Sequence, residues 1–95
     1  MSILMQSVVF EYRPAAFEAL QAAIETAFET GAPRVVLELD ELPRLDTDAV
    51  RGLITLLRRS REVGGEVALH VTRPELLRTL NTLALDRLFP MVKAA

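Results

Sequence analysis

Ninety-five residues, 51% hydrophobic and 25% charged with only 5% aromatic, suit a single soluble domain (1–95) with one core and are marginal for a separate catalytic lobe. A formal charge of −2 and a pI near 5.4 give no general attraction to nucleic acid or anionic lipid, and the absence of cysteine excludes a disulfide framework and a thiolate site. The opening segment MSILMQSVVFEY lacks a basic region followed by a full apolar stretch, and no apolar run nears the ~20 residues that span a bilayer, so a cytoplasmic protein without membrane insertion is expected.

The first element is a strand over about Ser7 to Tyr12, where Val8, Phe10 and Tyr12 share one face at period two. Pro14 then stands where a first helical residue would, and Phe17, Leu20, Ile24, Ala27 and Phe28 recur at helical spacing until Gly31 ends the helix. RVVLEL, from Arg34 to Leu39, is nearly continuous in apolar character, as expected of a strand buried on both faces of a parallel sheet. A second helix follows LDTD, with Val50, Leu53, Leu56, Leu57 and Val63 as its core stripe and Gly64-Gly65 as its stop. Arg58, Arg59 and Arg61 lie near its C-terminal end, where positive charge complements the helix dipole.

EVALHV reads as the next strand. The third helix opens at Thr72-Arg73-Pro74-Glu75, which has the form of a capping box, and carries Leu76, Leu77, Leu80 and Leu83; LDRLFPMV reads as a closing turn. Strands alternating with helices imply an α/β fold around a mainly parallel central sheet of about three to four strands, with a short N-terminal strand region.

Few groups carry chemistry. A phosphate cradle of the P-loop kind is absent, and the lone lysine, Lys93, stands near the C-terminus. One histidine, His70, and no cysteine cannot form a catalytic triad or a zinc site. Glu38 and Asp40 are carboxylates near a strand end, for which a solvated loop exit is a sufficient account, so no metal or cofactor is expected. No enzymatic constellation is found, and the expectation is a non-enzymatic protein.

Asp46-Thr47-Asp48 places two carboxylates and a hydroxyl in a row before the second helix. An Asp or Thr there accepts hydrogen bonds from unsatisfied N–H groups and a carboxylate interacts well with the dipole, worth about 1 kcal/mol. That structural reading competes with one in which the hydroxyl is modified or recognised. Arg51, Thr55 and Arg58 follow on the polar side of the same helix and, with Asp46, Thr47 and Asp48, compose a charged surface suited to orienting a partner protein.

From Val35 onward the chain resembles the STAS domain, the fold of bacterial anti-sigma factor antagonists. VVLELDELPRLDTDAVRGLI, GGEVALHV and PELLRTLNTLALDRLFPMV follow in order the family's approximate pattern vvlDLsgvtfiDSsGlgvLl, GGelrlv and peverrllelTGLdrlFpv. Arg44, Asp48, Ala49 and Ala84 depart from it, the last standing for the Gly of TGL, and FEYR from Phe10 to Arg13 replaces the early GeLD. The resemblance implies a small STAS-like α/β domain. It also implies that Thr47, directly after the loop Asp46, is the residue phosphorylated by a partner anti-sigma factor, a GHKL-type kinase, and that phosphorylation releases that partner. A PP2C-type phosphatase would reverse the step. The expected function is therefore partner switching in the control of transcription. The alternative is a structural subunit of a phospholipid-transport ABC assembly, docking on its ATPase or permease, or of a stressosome-like scaffold, without obligatory phosphorylation.

Overall fold

Burial alternates along the N-terminal strand, which stands at the edge of the sheet. In the computed structural model, which describes residues 7–92, β1 spans Ser7–Glu11 with Val8 and Phe10 half-buried, and Tyr12, just beyond it, is 1% exposed. The readings made on residues 1–6 and on Lys93 lie outside the described residues. Pro14 opens a 3-10 turn, Pro14–Ala16, because its fixed φ and missing N–H suit a first helical position. Helix α1, Phe17–Glu29, follows and buries Leu20, Ile24 and Ala27. Gly31 then takes φ 103°, a left-handed value open to glycine, and the chain turns back as Ala32 N–H donates to the Ala27 carbonyl at 3.0 Å.

The central strands are β2, Arg34–Glu38, and β3, Glu66–His70. Val35, Val36 and Leu37 in the first and Val67, Ala68 and Leu69 in the second are all buried, which is why their sequences are apolar without alternation. Helix α2, Thr47–Glu62, joins them, and helix α3, Pro74–Thr82, leads through a 3-10 turn, Leu85–Arg87, to β4, Met91–Val92. The sheet order is β1-β2-β3-β4 and each neighbouring pair is parallel, with Val8, Val35 and Val67 in register and Phe10, Leu37 and Leu69 two residues on. Sequential parallel strands joined by right-handed crossovers place their helices on one face. The core accordingly joins Leu20 and Ile24 of α1, Leu53 and Leu56 of α2 and Leu76 and Leu80 of α3 to Val35, Leu37, Val67 and Leu69 of the sheet.

Several details differ from the sequence reading. The end of LDRLFPMV is not only a turn: Met91 and Val92 pair with Leu69 and His70 as a fourth strand, too short for any periodicity to show. In α2 the core stripe is Ala49, Leu53, Leu56, Leu57 and Ser60; Val50 is half-buried and Val63, past the last turn, is 58% exposed. Ser60 is accepted in the core because its hydroxyl donates to the Leu57 carbonyl at 2.7 Å. Leu77 and Leu83 are exposed at 40% and 47%, leaving Leu76 and Leu80 as the buried pair of α3.

The capping box does not form either. The N-cap residue of α3 is Arg73, without a side-chain cap, and the Thr72 hydroxyl donates instead to Asp40 Oδ2 at 2.6 Å. Asp40 Oδ1 accepts the backbone N–H of Thr72 at 2.9 Å and that of Arg73 at 3.3 Å, so a carboxylate from the end of β2 satisfies the entry to α3. These hydrogen bonds, the Thr72 hydroxyl first, hold the Asp40 carboxyl below its usual range.

Candidate functional site

The segment between β2 and α2 is held from three sides before it reaches Thr47. Leu42 and Leu45 are buried, at 5% and 9% exposure, and anchor it to the core. The Arg73 guanidinium donates to the Asp40 carbonyl at 3.1 Å and to that of Leu42, pinning the backbone from the α3 side. Asp40 itself grips Thr72 and Arg73. A polar loop is thus converted into a fixed platform by contacts between residues more than thirty positions apart.

Asp46 ends the platform in extended conformation, φ −87° and ψ 179°, and its Oδ1 accepts the Ala49 N–H at 2.9 Å. This is the N-cap bond of the sequence reading, and it spends the Asp46 carboxylate on the helix. Thr47 and Asp48 are the first two residues of α2 and both are exposed; the Thr47 hydroxyl makes no hydrogen bond among the described residues. Ala49 turns inward, 1% exposed, and its carbonyl accepts a 2.8 Å hydrogen bond from the Tyr12 hydroxyl. One turn on, Gly52 lacks the Cβ that would collide with the Tyr12 hydroxyl and the Phe17 ring, so α2 can seat closely against the end of β1. Burial pushes the Tyr12 phenol up to about 12, and the negative charge of Asp46 adds to the effect.

Beyond the cap, α2 and α3 border an open groove of about 780 Å3. Asp46, Thr47, Arg51, Thr55 and Arg58 all line it, so five of the six residues singled out from sequence come together on one side. Spacings of three and four residues explain this, since positions 47, 51, 54, 55 and 58 share a helical face. Asp48 does not belong to the groove: it borders a hollow on the other side of α2 with Pro14 and Phe17, where Arg51 and Thr55 also reach. Arg51 and Thr55 therefore form the crest between the two depressions. The Thr55 hydroxyl is already used, donating to the Arg51 carbonyl at 3.0 Å.

The groove also has an apolar part. Val50, read as part of the core stripe of α2, also lines the groove, together with Leu45, Ile54, Thr79 and Leu83. Val50 and Ile54 pack on the core with one side and open to the groove with the other. Ile54, apolar yet outside the stripe read from the sequence, was the available signal. Among the described residues no group of three or more His, Cys, Asp or Glu is placed to hold a metal ion, and no helix is long and apolar enough to cross a membrane. Glu38 pairs with His70 Nδ1 at 3.7 Å, while Asp40 serves the α3 entry.

A pinned loop, an exposed hydroxyl at a helix start and an open groove thus lie side by side. Comparison with known proteins agrees in fold. The NMR structure of the protein TM1081 superposes with a TM-score of 0.74 at 16% identity, covering 98% of this chain and 78% of that one. The anti-sigma factor antagonist SpoIIAA in its unphosphorylated form gives a TM-score of 0.66 at 20% identity, covering 100% of this chain and 85% of that one. No curated protein matches the sequence. The family model described as the STAS domain matches residues 14–95, all but the first strand of the fold described above, and the chain belongs to that family.

Proposed function

We propose that this protein is a non-enzymatic partner-switching regulator of the anti-sigma factor antagonist type, which binds an anti-sigma factor or related regulatory protein through the Thr47 platform and α2. The observation that carries the reading is the Thr47 hydroxyl: exposed, without a hydrogen-bond partner among the described residues, first in a helix and at the rim of an open groove. A helix N-terminus tolerates a phosphate, because unsatisfied N–H groups and the dipole both favour an anion there. Modification therefore fits the fold while changing the surface a partner meets. Asp46, Arg51, Thr55 and Arg58 would contact that partner from the groove side and Asp48 from the other.

The alternative is a docking subunit that uses the same surface constitutively, in a phospholipid-transport ABC assembly or a stressosome-like scaffold. Asp48 favours it, as an exposed carboxylate beside the hydroxyl already gives the helix start an anion. The two readings separate on incubation with ATP and the anti-sigma kinase encoded nearest the gene, with added phosphate mapped by mass spectrometry. Partner switching predicts phosphate on Thr47 and none in Thr47→Ala. Phosphate elsewhere, or none where the same kinase modifies its standard antagonist, leaves the docking subunit.

A further inference from the structure

The lining of the groove between α2 and α3 carries three guanidinium groups, Arg44, Arg51 and Arg58, against one carboxylate, Asp46, in a chain whose formal charge is −2. Among the described residues these three arginines make no ion pair, which is also true of Arg61, Arg78 and Arg87 outside the groove, whereas Arg13, Arg34, Arg59 and Arg73 each hold a carboxylate. The Asp46 carboxylate is committed to the Ala49 N–H. Between the arginines the surface is apolar, formed by Val50, Ile54 and Leu83. The lining of the groove is thus net positive in a net negative chain, and its floor is fit for aliphatic side chains.

We propose that this groove receives an amphipathic helix of a partner protein, with an apolar stripe on Val50, Ile54 and Leu83 and Asp or Glu residues beside the stripe facing Arg51 and Arg58. The geometry suits a helix better than a small molecule. A ligand pocket encloses most of its ligand, but this depression is open along its side. Its two walls are helices, and from Thr47 to Arg58 it follows three turns of α2, about 16 Å, which matches three turns of a guest helix laid alongside. Arg51 and Arg58 lie two turns apart on one face, the spacing at which a guest helix repeats its own flanking carboxylates.

This inference deepens the proposed function and rests on it only in that the occupant is a segment of a protein. It also states how Thr47 would control the occupant. Thr47 and Arg51 are four residues apart, so a phosphate on Thr47 lies beside the Arg51 guanidinium on the same helix face. The phosphate then competes with the acidic residues of the guest for that guanidinium, and repels them.

The test needs neither kinase nor native partner. A displayed library of sixteen-residue amphipathic helices with the positions flanking the apolar stripe randomised is selected on the unmodified protein, and the selected peptides are mapped by amide chemical shifts. Enrichment of Asp and Glu at the flanks is expected, with shifts confined to 44–58 and 79–83. In Arg51→Glu with Arg58→Glu, the affinity for those peptides should fall at least about tenfold, while the melting temperature stays unchanged. Enrichment of neutral or basic flanks, shifts elsewhere, or no selected peptide overturns the proposal; so does dodecanoate shifting these amides where no peptide does, which makes the site one for an acyl anion. Acidic peptides in the groove of a protein whose Thr47 no kinase modifies keep the docking mode and end the switch, so the two failures are distinguishable.

Discussion

Ala84 takes φ 60° and ψ 23°, and no other non-glycine residue among residues 7–92 has a positive φ. A left-handed backbone costs a residue with a Cβ about 1–2 kcal/mol, partly offset because glycine loses more freedom on folding. Ala84→Gly is therefore expected to stabilise the protein by about 0.5–1 kcal/mol in chemical denaturation. Resemblance marked the position as one where the family carries glycine, but only the backbone shows that the turn keeps the glycine conformation. Tyr12 offers a second test, since it is the single tyrosine in a chain without tryptophan and its ionisation can be read from absorbance alone. Its phenol should titrate near 12 in the fold, against 10.0 when unperturbed. A raised value means that the folded protein holds the proton more tightly. The stabilisation is complete below pH 10 and is lost as the pH rises toward about 12. In Tyr12→Phe that part of the alkaline loss should disappear. Alternation along β1 predicted the burial of Tyr12, whereas its hydrogen bond to Ala49, 37 residues away, left no trace in local sequence.

At the level of elements, α2 holds the fold and the site at once. Leu53 is fully buried in the middle of the stripe that faces the sheet, so Leu53→Ala should cost about 2–5 kcal/mol through lost burial and a residual cavity. Leu83, 47% exposed at the groove wall, should cost less than about 1 kcal/mol on truncation to Ala. Denaturation of the two variants compares a core position with a surface one. Equal losses would place both leucines in the core. Strands β1, β2 and β3 and all three helices were legible because each repeats its apolar pattern over enough residues to define a face. The residues that failed were those at ends: Val63 beyond the last turn of α2, Leu83 beyond α3, and Thr72, whose hydroxyl went to Asp40 rather than to a capping box. Helix ends are decided by what stands next to them in space, and Asp40 comes from the turn after β2.

Across the whole molecule, four parallel strands in sequential order set α2 beside α3 and bring the Thr47 platform to the mouth of their groove. Five of the six candidate residues line one groove, and four of them do so because a helix face follows from spacing. The opposite wall, Thr79 and Leu83, does not, because the approach of α3 depends on the sheet order. A phosphate on Thr47 gains from the helix N-terminus and from Arg51 and loses to Asp46 and Asp48, so the stability of the protein itself should change by about 1 kcal/mol or less. A partner packed over the platform must instead desolvate a dianion, at a cost of several kcal/mol of affinity. The most direct measurement is calorimetric titration of the cognate anti-sigma factor with unmodified protein and with protein carrying phosphate on Thr47, alongside the melting temperature of each. The expected result is an affinity lower by about a hundredfold or more for the phosphorylated form with nearly the same melting temperature. Equal affinity of the two forms would contradict control through Thr47.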